Sequence, residues 1–338
     1  LKKTSIRGVE SNGMLVSEKE MCLSDEHAGI IELSDEYAVG TPMAEVFGLD
    51  DPIIEIALTP NRADCAGLYG IARDLAARGL GTLLPCPTPE IEGKFASDIA
   101  VSIDADTLDD CPVFYGRLIK GVKNGPSPAW MQAALKAIGL RPISMLVDVT
   151  NYFTYDQNRP LHVFDADKVK GNLRVHRAAG GEEIMALDDK EYTFFPGMMV
   201  ISDDNGPESI AGVMGGSATG VTAETIDVFV ESAYWNNVQI ALTGRALKIN
   251  SDARYRFERG VDPAFVVPGI ELATKLVMEL CGGEPSHIVV SGEMPESSPA
   301  IDFDMGQVKR LTGLDLPAPE IRFILKSLGF WVAGHGDS

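Results

Sequence analysis

The apolar positions of this chain change period along its length, and the changes mark out its elements. From about Ala66 to Ala77 a helical repeat puts Leu68, Ile71 and Leu75 on one face, and Gly79 is the stop. SPAWMQAALKAIG predicts a second helix, with Ser127 as N-cap, Pro128 at the first helical position and Gly139 past its end. DPAFVVPGIELATKLVMELCGG predicts a long amphipathic helix started by Asp262 and Pro263 and ended by Gly282 and Gly283. Between these helices the runs IAVSI, FYGRLIKGV, SMLVDVTNYFTY, NLRVHRA, EYTFF, MMVISD, SIAGVMGG and VFVESAYW read mostly as strand. DPIIEIAL (51–58) alternates like a half-buried strand, and GMLVS and GIIEL read as strands among turns.

Two proline-containing stretches punctuate this order. TLLPCPTPEIEGKFASD (82–98) and EMPESSPA read as linkers, so a large unit is expected over about 99–293. The tail from Ile301 reads as strand, helix, turn, helix, strand. Asp304 caps MGQVKRLTG and Gly313 ends it; in PAPEIRFILKSLG the residues Ile321, Ile324, Leu325 and Leu328 share a face. Two short helices and a turn point to a winged-helix-like module. The fold class expected is therefore α+β, in several domains.

Composition narrows the function. A chain of 338 residues predicts two or three domains, and 45% hydrophobic residues supply their cores. A net charge of −20 argues against a general nucleic-acid binder. It leaves room for a local basic groove, and RALKINSDARYRFERG (245–260) holds five basic residues against two acids. A salt-bridged, solvated face would explain that stretch equally well. Five scattered cysteines without a C-x-x-C pair read as reduced thiols in a cytosolic protein, with no disulfide framework and no metal site. LKKTSIRG carries no secretory h-region, and no apolar run is long enough to span a bilayer. A start at Leu1 rather than Met points to a piece of a longer polypeptide.

Familiar catalytic motifs are missing. GVMGGSATG is followed by no Gly-Lys-Ser/Thr, no G-x-G-x-x-G opens a helix, and neither G-x-S-x-G nor H-E-x-x-H occurs. That counts against a nucleotide-binding enzyme. Four other features remain: Thr150 and Asn151 in VDVTNY, His162 in PLHVFDADKV, the glycine-rich SIAGVMGGSATGV, and Glu231 inside the apolar VFVESAYW. Each has a plain reading: a satisfied core histidine, a turn between strands, an edge-facing glutamate, local turn hydrogen bonds. Glycine in strands and turns costs stability, which is reasonable where a ligand or backbone must approach closely.

Taken together, EIALTPNRADCAGLYGIARDLAA, RPISMLVDVTNYF, PLHVFDADKV, IAGVMGG and SDARYRFERGVDP resemble, in order and spacing, the bacterial phenylalanyl-tRNA synthetase beta chain family. The resemblance covers essentially the whole chain. It implies that residues 1–48 are the closing part of an OB-type tRNA-binding domain. Residues 49–98 would be part of a small N-terminal helical domain plus linker, 99–293 a mixed α/β B3/B4 editing domain, and 294–338 the start of a winged-helix-like B5 domain. The family's B3/B4 domain hydrolyses the ester of tRNA(Phe) mischarged with tyrosine. By resemblance, Glu231 accepts the tyrosine hydroxyl, while Ala211, Gly212 and Gly215 form the wall for the amino acid and terminal adenosine. Thr150, Asn151 and His162 would line the same pocket, and Ser251 and Ala253 a further edge of it. Arg254, Arg256 and Arg259 are expected, from their charge, to hold the acceptor end. The expected mechanism is attack by a positioned water, with His162 orienting it. The resemblance further implies the alpha chain as partner in a doubled alpha–beta assembly. ATP and Mg²⁺ would belong to the full enzyme, with no cofactor in this piece. Ser144 and Met145, and Arg254 and Tyr255, stand where relatives often have two Asn and Ser-His. The alternative reading is a non-catalytic tRNA-binding and assembly scaffold.

Overall fold

The computed structural model describes residues 3–24, 26–295 and 300–334. The middle of EMPESSPA and the end of AGHGDS lie outside the described residues. The chain forms two compact units, Leu1–Glu55 and Ile56–Ser338. The first holds an antiparallel pair, β1 (Thr4–Ile6) and β2 (Val9–Ser11), and a single-turn helix, α1 (Met43–Val46). GMLVS and GIIEL form no regular strands; one backbone bond, Ile31 N–H to the Val16 carbonyl, joins them.

In the second unit α2 (Leu68–Ala77) forms where the helical repeat placed it. Its inner face is Gly70 and Ala77, with Leu68 and Leu75 exposed, because the small residues admit close backbone approach. DPIIEIAL is not a strand: Ile53, Ile54 and Ile56 are exposed, and an alternating pattern without a pairing edge has nothing to hold it extended.

Two five-stranded sheets follow. β3 (Val101–Ile103), β6 (Leu173–Arg177), β9 (Met199–Ser202), β10 (Pro207–Ile210) and β11 (Met214–Gly215) form one, antiparallel except for the parallel β3–β6 pair. The other has β4 (Val113–Lys120) paired on one side to β12 (Val228–Tyr234), which in turn pairs with β5 (His162–Asp165). On its other side β4 pairs with β13 (Glu284–Pro285) and β14 (Val289–Gly292). A small hairpin, β7 (Glu183–Met185) and β8 (Glu191–Thr193), forms a separate pair that is bridged to the glycine stretch through Ala186 and Gly216.

Strand parity sorts the core into two layers. Phe114, Leu118, Phe164, Phe229 and Ala233 pack with Leu173, Val175, Ile201, Ile210 and Ala211 between the sheets. Ile119, Val163, Val228 and Val230 face the other way, onto α3 (Ala129–Ala137), α4 (Met145–Asp156) and α7 (Val266–Cys281). SMLVDVTNYFTY is therefore a helix, α4, and not a strand. Leu146, Val149 and Phe153 recur at helical spacing and fill that second core, so burial overrides β-branched propensity. Pro128, not Ser127, is the α3 N-cap; the Ser127 hydroxyl instead donates to buried Asp148 (2.5 Å).

The long helix begins as expected, the Asp262 carboxylate accepting the Ala264 N–H after which α7 runs to Gly282. Two further helices, α5 (Asn237–Leu247) and α6 (Asp252–Phe257), follow β12. In the tail α8 (Gly306–Thr312) and α9 (Ala318–Ser327) form, and α9 buries Ile321 and packs with α2. The strands expected on either side of them are absent among the described residues; with no partner edge there, 301–304 and 330–334 stay irregular.

Candidate active site

Glu231 sits in the middle of β12, on the face shared by Phe229 and Ala233 and directed toward the first sheet. Its register partners are Gly116 on β4 and His162 on β5. Directly opposed residues share a face, with Cβ atoms about 5 Å apart. Glu231 thus has the Phe229 ring, lying over Gly116, on one flank and an imidazole on the other. A Cβ at Gly116 would strike the Phe229 ring, which already fills that space.

Glu231 is 6% exposed, and its Oε2 is buried without a hydrogen-bond partner among the described residues. Desolvation pushes its pKa up to about 8, so at neutral pH it is mostly the acid. His162 Nε2 is likewise shielded and unpartnered, and desolvation draws the imidazole down to about 4. The ring stands edge-on to Phe164, with centroids 4.4 Å apart. Both groups are therefore held uncharged, each with an open hydrogen-bonding atom.

The glycine stretch closes over them. A Cβ at Gly215 would lie 2.2 Å from His162 Cε1, so only glycine lets β11 pass the imidazole. Val213 N–H bonds the Ile210 carbonyl, and Gly212 occupies the left-handed position of that turn at φ +67°. Ala211 is fully buried in the core between the sheets. The Ser251 hydroxyl donates to the Val213 carbonyl (2.6 Å) and also accepts the Arg254 N–H as the cap of α6. Ala253 packs against the same core.

Thr150 and Asn151 are not joined to this cluster by any hydrogen bond among the described residues. Thr150 donates to the Val147 carbonyl of its own helix, and its neighbours Val149 and Phe153 face the second core. The arginines of 254–259 do not form a free basic face. Arg254 binds Glu258 and the Ile249 carbonyl, and Arg256 is buried, donating to the Ala66 carbonyl and lying over Tyr155. Arg259 pairs with Glu258 and stacks on Tyr255. Sequence reasoning also passed over Gly116 and Trp235. Trp235 has the same strand parity as Glu231, a signal readable in ESAYW; it is 2% exposed with Nε1 unpartnered.

Known proteins share this arrangement of sequence. The B3/4 domain family matches residues 110–282, just over half of the chain and every strand of the site. The chain belongs to the B3/4 domain family. Phenylalanine–tRNA ligase beta subunits are its relatives. That of Ruegeria pomeroyi is 61% identical over 98% of this chain, that of Cereibacter sphaeroides 57% over 99%, and that of Brucella abortus 59% over 98%. The family resemblance of the motifs therefore holds. The chain spans 42% of the length of each of these relatives. An N-terminal fragment of the phenylalanyl-tRNA synthetase beta subunit from Pyrococcus horikoshii aligns with 80% of this chain and 75% of its own, at 17% identity and a TM-score of 0.38. Among the described residues no helix is long and apolar enough to cross a membrane.

Proposed function

We propose that the 99–293 region is a proofreading site that hydrolyses the ester of tyrosine misattached to tRNA(Phe). The observation that carries this reading is the paired Glu231 and His162. Two uncharged, unpartnered polar groups lie opposite each other under a glycine segment that leaves no room for a Cβ. A buried carboxyl that accepts a phenolic O–H favours tyrosine over phenylalanine, because phenylalanine leaves it unpaired.

Hydrolysis adds a water oxygen to the ester carbonyl carbon. The bond from that carbon to the ribose oxygen then breaks, the ribose oxygen takes a proton, and free tyrosine leaves. An imidazole with its pKa near 4 is a weak base, which suits His162 for orienting the water through Nε2. An aminoacyl ester is reactive enough for positioning to do much of the remainder.

In this reading 1–48 belongs to an OB-type domain, 49–98 to a small N-terminal domain and 294–338 to B5. The partners are tRNA(Phe) and the alpha chain, in the cytoplasm. ATP and Mg²⁺ serve aminoacylation in the full enzyme. The polar groups of this site, a neutral carboxyl and a neutral imidazole, do not suit a triphosphate, and no step here uses one. Thr150 and Asn151 would join the pocket only if the α4 edge closes on the ligand, and the acceptor end would be held by groups other than the paired Arg254 and Arg256.

The test is deacylation of preformed Tyr-tRNA(Phe) by the alpha–beta enzyme, with Phe-tRNA(Phe) as control. Selective loss of the tyrosyl ester that falls at least tenfold with Glu231→Ala supports the reading. Equal rates for both esters would sink it and leave a binding scaffold.

A further inference from the structure

Among the described residues a third unpartnered polar atom on this face belongs to Trp235. Its ring lies in the core between the sheets, with Phe229, Ala211 and Ile240. A Cβ at Gly212 would meet Trp235 Cδ1 at 2.9 Å. Cδ1 is bonded to Nε1, so the N–H edge of the indole lies beside the glycine turn. The glycine segment thus runs from the Glu231–His162 pair, at Gly215, to the indole, at Gly212.

The spacing follows from the strand. Trp235 is four residues beyond Glu231 and one past the end of β12 at Tyr234, about 13 Å if the backbone stays extended for that residue. A tyrosyl side chain anchored by its hydroxyl at Glu231 ends short of that. With the side chain lying along the strand, its ester carbonyl and the attached ribose would extend on toward Trp235. A buried indole N–H without an acceptor is costly in an empty core, and a ligand oxygen would satisfy it.

We infer that Trp235 is a substrate-binding residue whose indole N–H donates to an oxygen at the nucleoside end of the aminoacyl ester, while Glu231 holds the amino-acid end. This rests on the proofreading reading of the site. It assigns the two ends of the ligand to two groups of opposite character, an acceptor and a donor. Trp235 then sets how tightly the acceptor end binds, and Glu231 which amino acid is accepted.

Trp235→Phe keeps an aromatic ring in the core and removes the N–H together with part of the indole, leaving a small cavity. In the full alpha–beta enzyme it is expected to raise KM for Tyr-tRNA(Phe) hydrolysis about fivefold, with kcat within twofold. A non-hydrolysable 3′-tyrosylamido adenosine, used as inhibitor, should weaken by the same factor, while inhibition by free tyrosine stays unchanged. Glu231→Ala should weaken both inhibitors. Unchanged KM and inhibition in Trp235→Phe would overturn the inference, as would equal weakening of free tyrosine. A melting temperature of Trp235→Phe within a few degrees of the parent, together with the free-tyrosine control, separates lost binding from a damaged core. No hydrolysis by the unsubstituted enzyme would remove the proofreading reading and this inference with it; hydrolysis insensitive to Trp235→Phe would remove this inference alone.

Discussion

Glu231 and His162 lose water together, yet their responses to pH run in opposite directions. Glu231 is raised from 4.5 to about 8, so the folded state holds its proton more tightly than the unfolded chain. Its contribution to stability is complete below pH 4.5 and is lost as pH rises toward 8. His162 is lowered from 6.5 to about 4, so its contribution is present above pH 6.5 and lost as pH falls toward 4. Between pH 4.5 and 6.5 the two slopes nearly cancel; from 6.5 to 8 only the Glu231 decline remains. Glu231→Gln should therefore stabilise the protein more at pH 8 than at pH 5, by up to a few kcal/mol, in urea melts at the two values. His162→Gln should instead uncover a decline that begins near pH 4.5. A parent curve still rising between pH 6.5 and 8 would refute the assignment.

At the scale of elements, the site depends on two glycines of different kinds. Gly215 has ordinary backbone angles, and its constraint is the His162 ring. Gly215→Ala should push that ring aside and cut tyrosyl-ester hydrolysis at least tenfold, with little change in melting temperature, because a ring can swing. Gly212 has both a left-handed φ and the Trp235 and Ile240 side chains against it. Gly212→Ala should cost about 2 kcal/mol in denaturant melts. Arg117 on β4 and Glu271 on α7 form a buried pair (2.9 Å) that ties sheet to helix layer. Glu271→Ala should cost about 3 kcal/mol, since a guanidinium is left buried and unpaired.

These elements also show where the sequence was legible. The helices at 68–77 and 266–281 and the strand around Glu231 were visible from their periods, although in 68–77 the face that the period marks, with Leu68 and Leu75, is the exposed one. α4 was not, since a run of β-branched and aromatic residues fits either period until burial decides. His162 and Glu231 stood out as polar residues in apolar runs, but their opposition depends on strand register, which is a property of the whole sheet. The pairing of Arg256 with the Ala66 carbonyl joins positions 190 residues apart and leaves no local trace.

At the scale of the molecule, the two units differ in how much regular structure they hold. The described part of Leu1–Glu55 contains one hairpin and one turn of helix, and exposes Val9, Leu15 and Val39. Amide exchange at 9–11 should be complete in minutes, while β12 amides, bonded on both sides, persist to the global limit. Comparable protection in both would contradict this. In the other unit, the Phe95 backbone bridges Ser286, the Lys94 N–H reaches the Pro285 carbonyl, and the His287 N–H returns to Phe95. The segment entering the site-bearing lobe thus lies beside β13, a strand spacing of about 5 Å away, before β14 returns along β4. Entry and closing strands are clasped to each other, so the same backbone bonds that finish the sheet also hold the lobe's first residues in register.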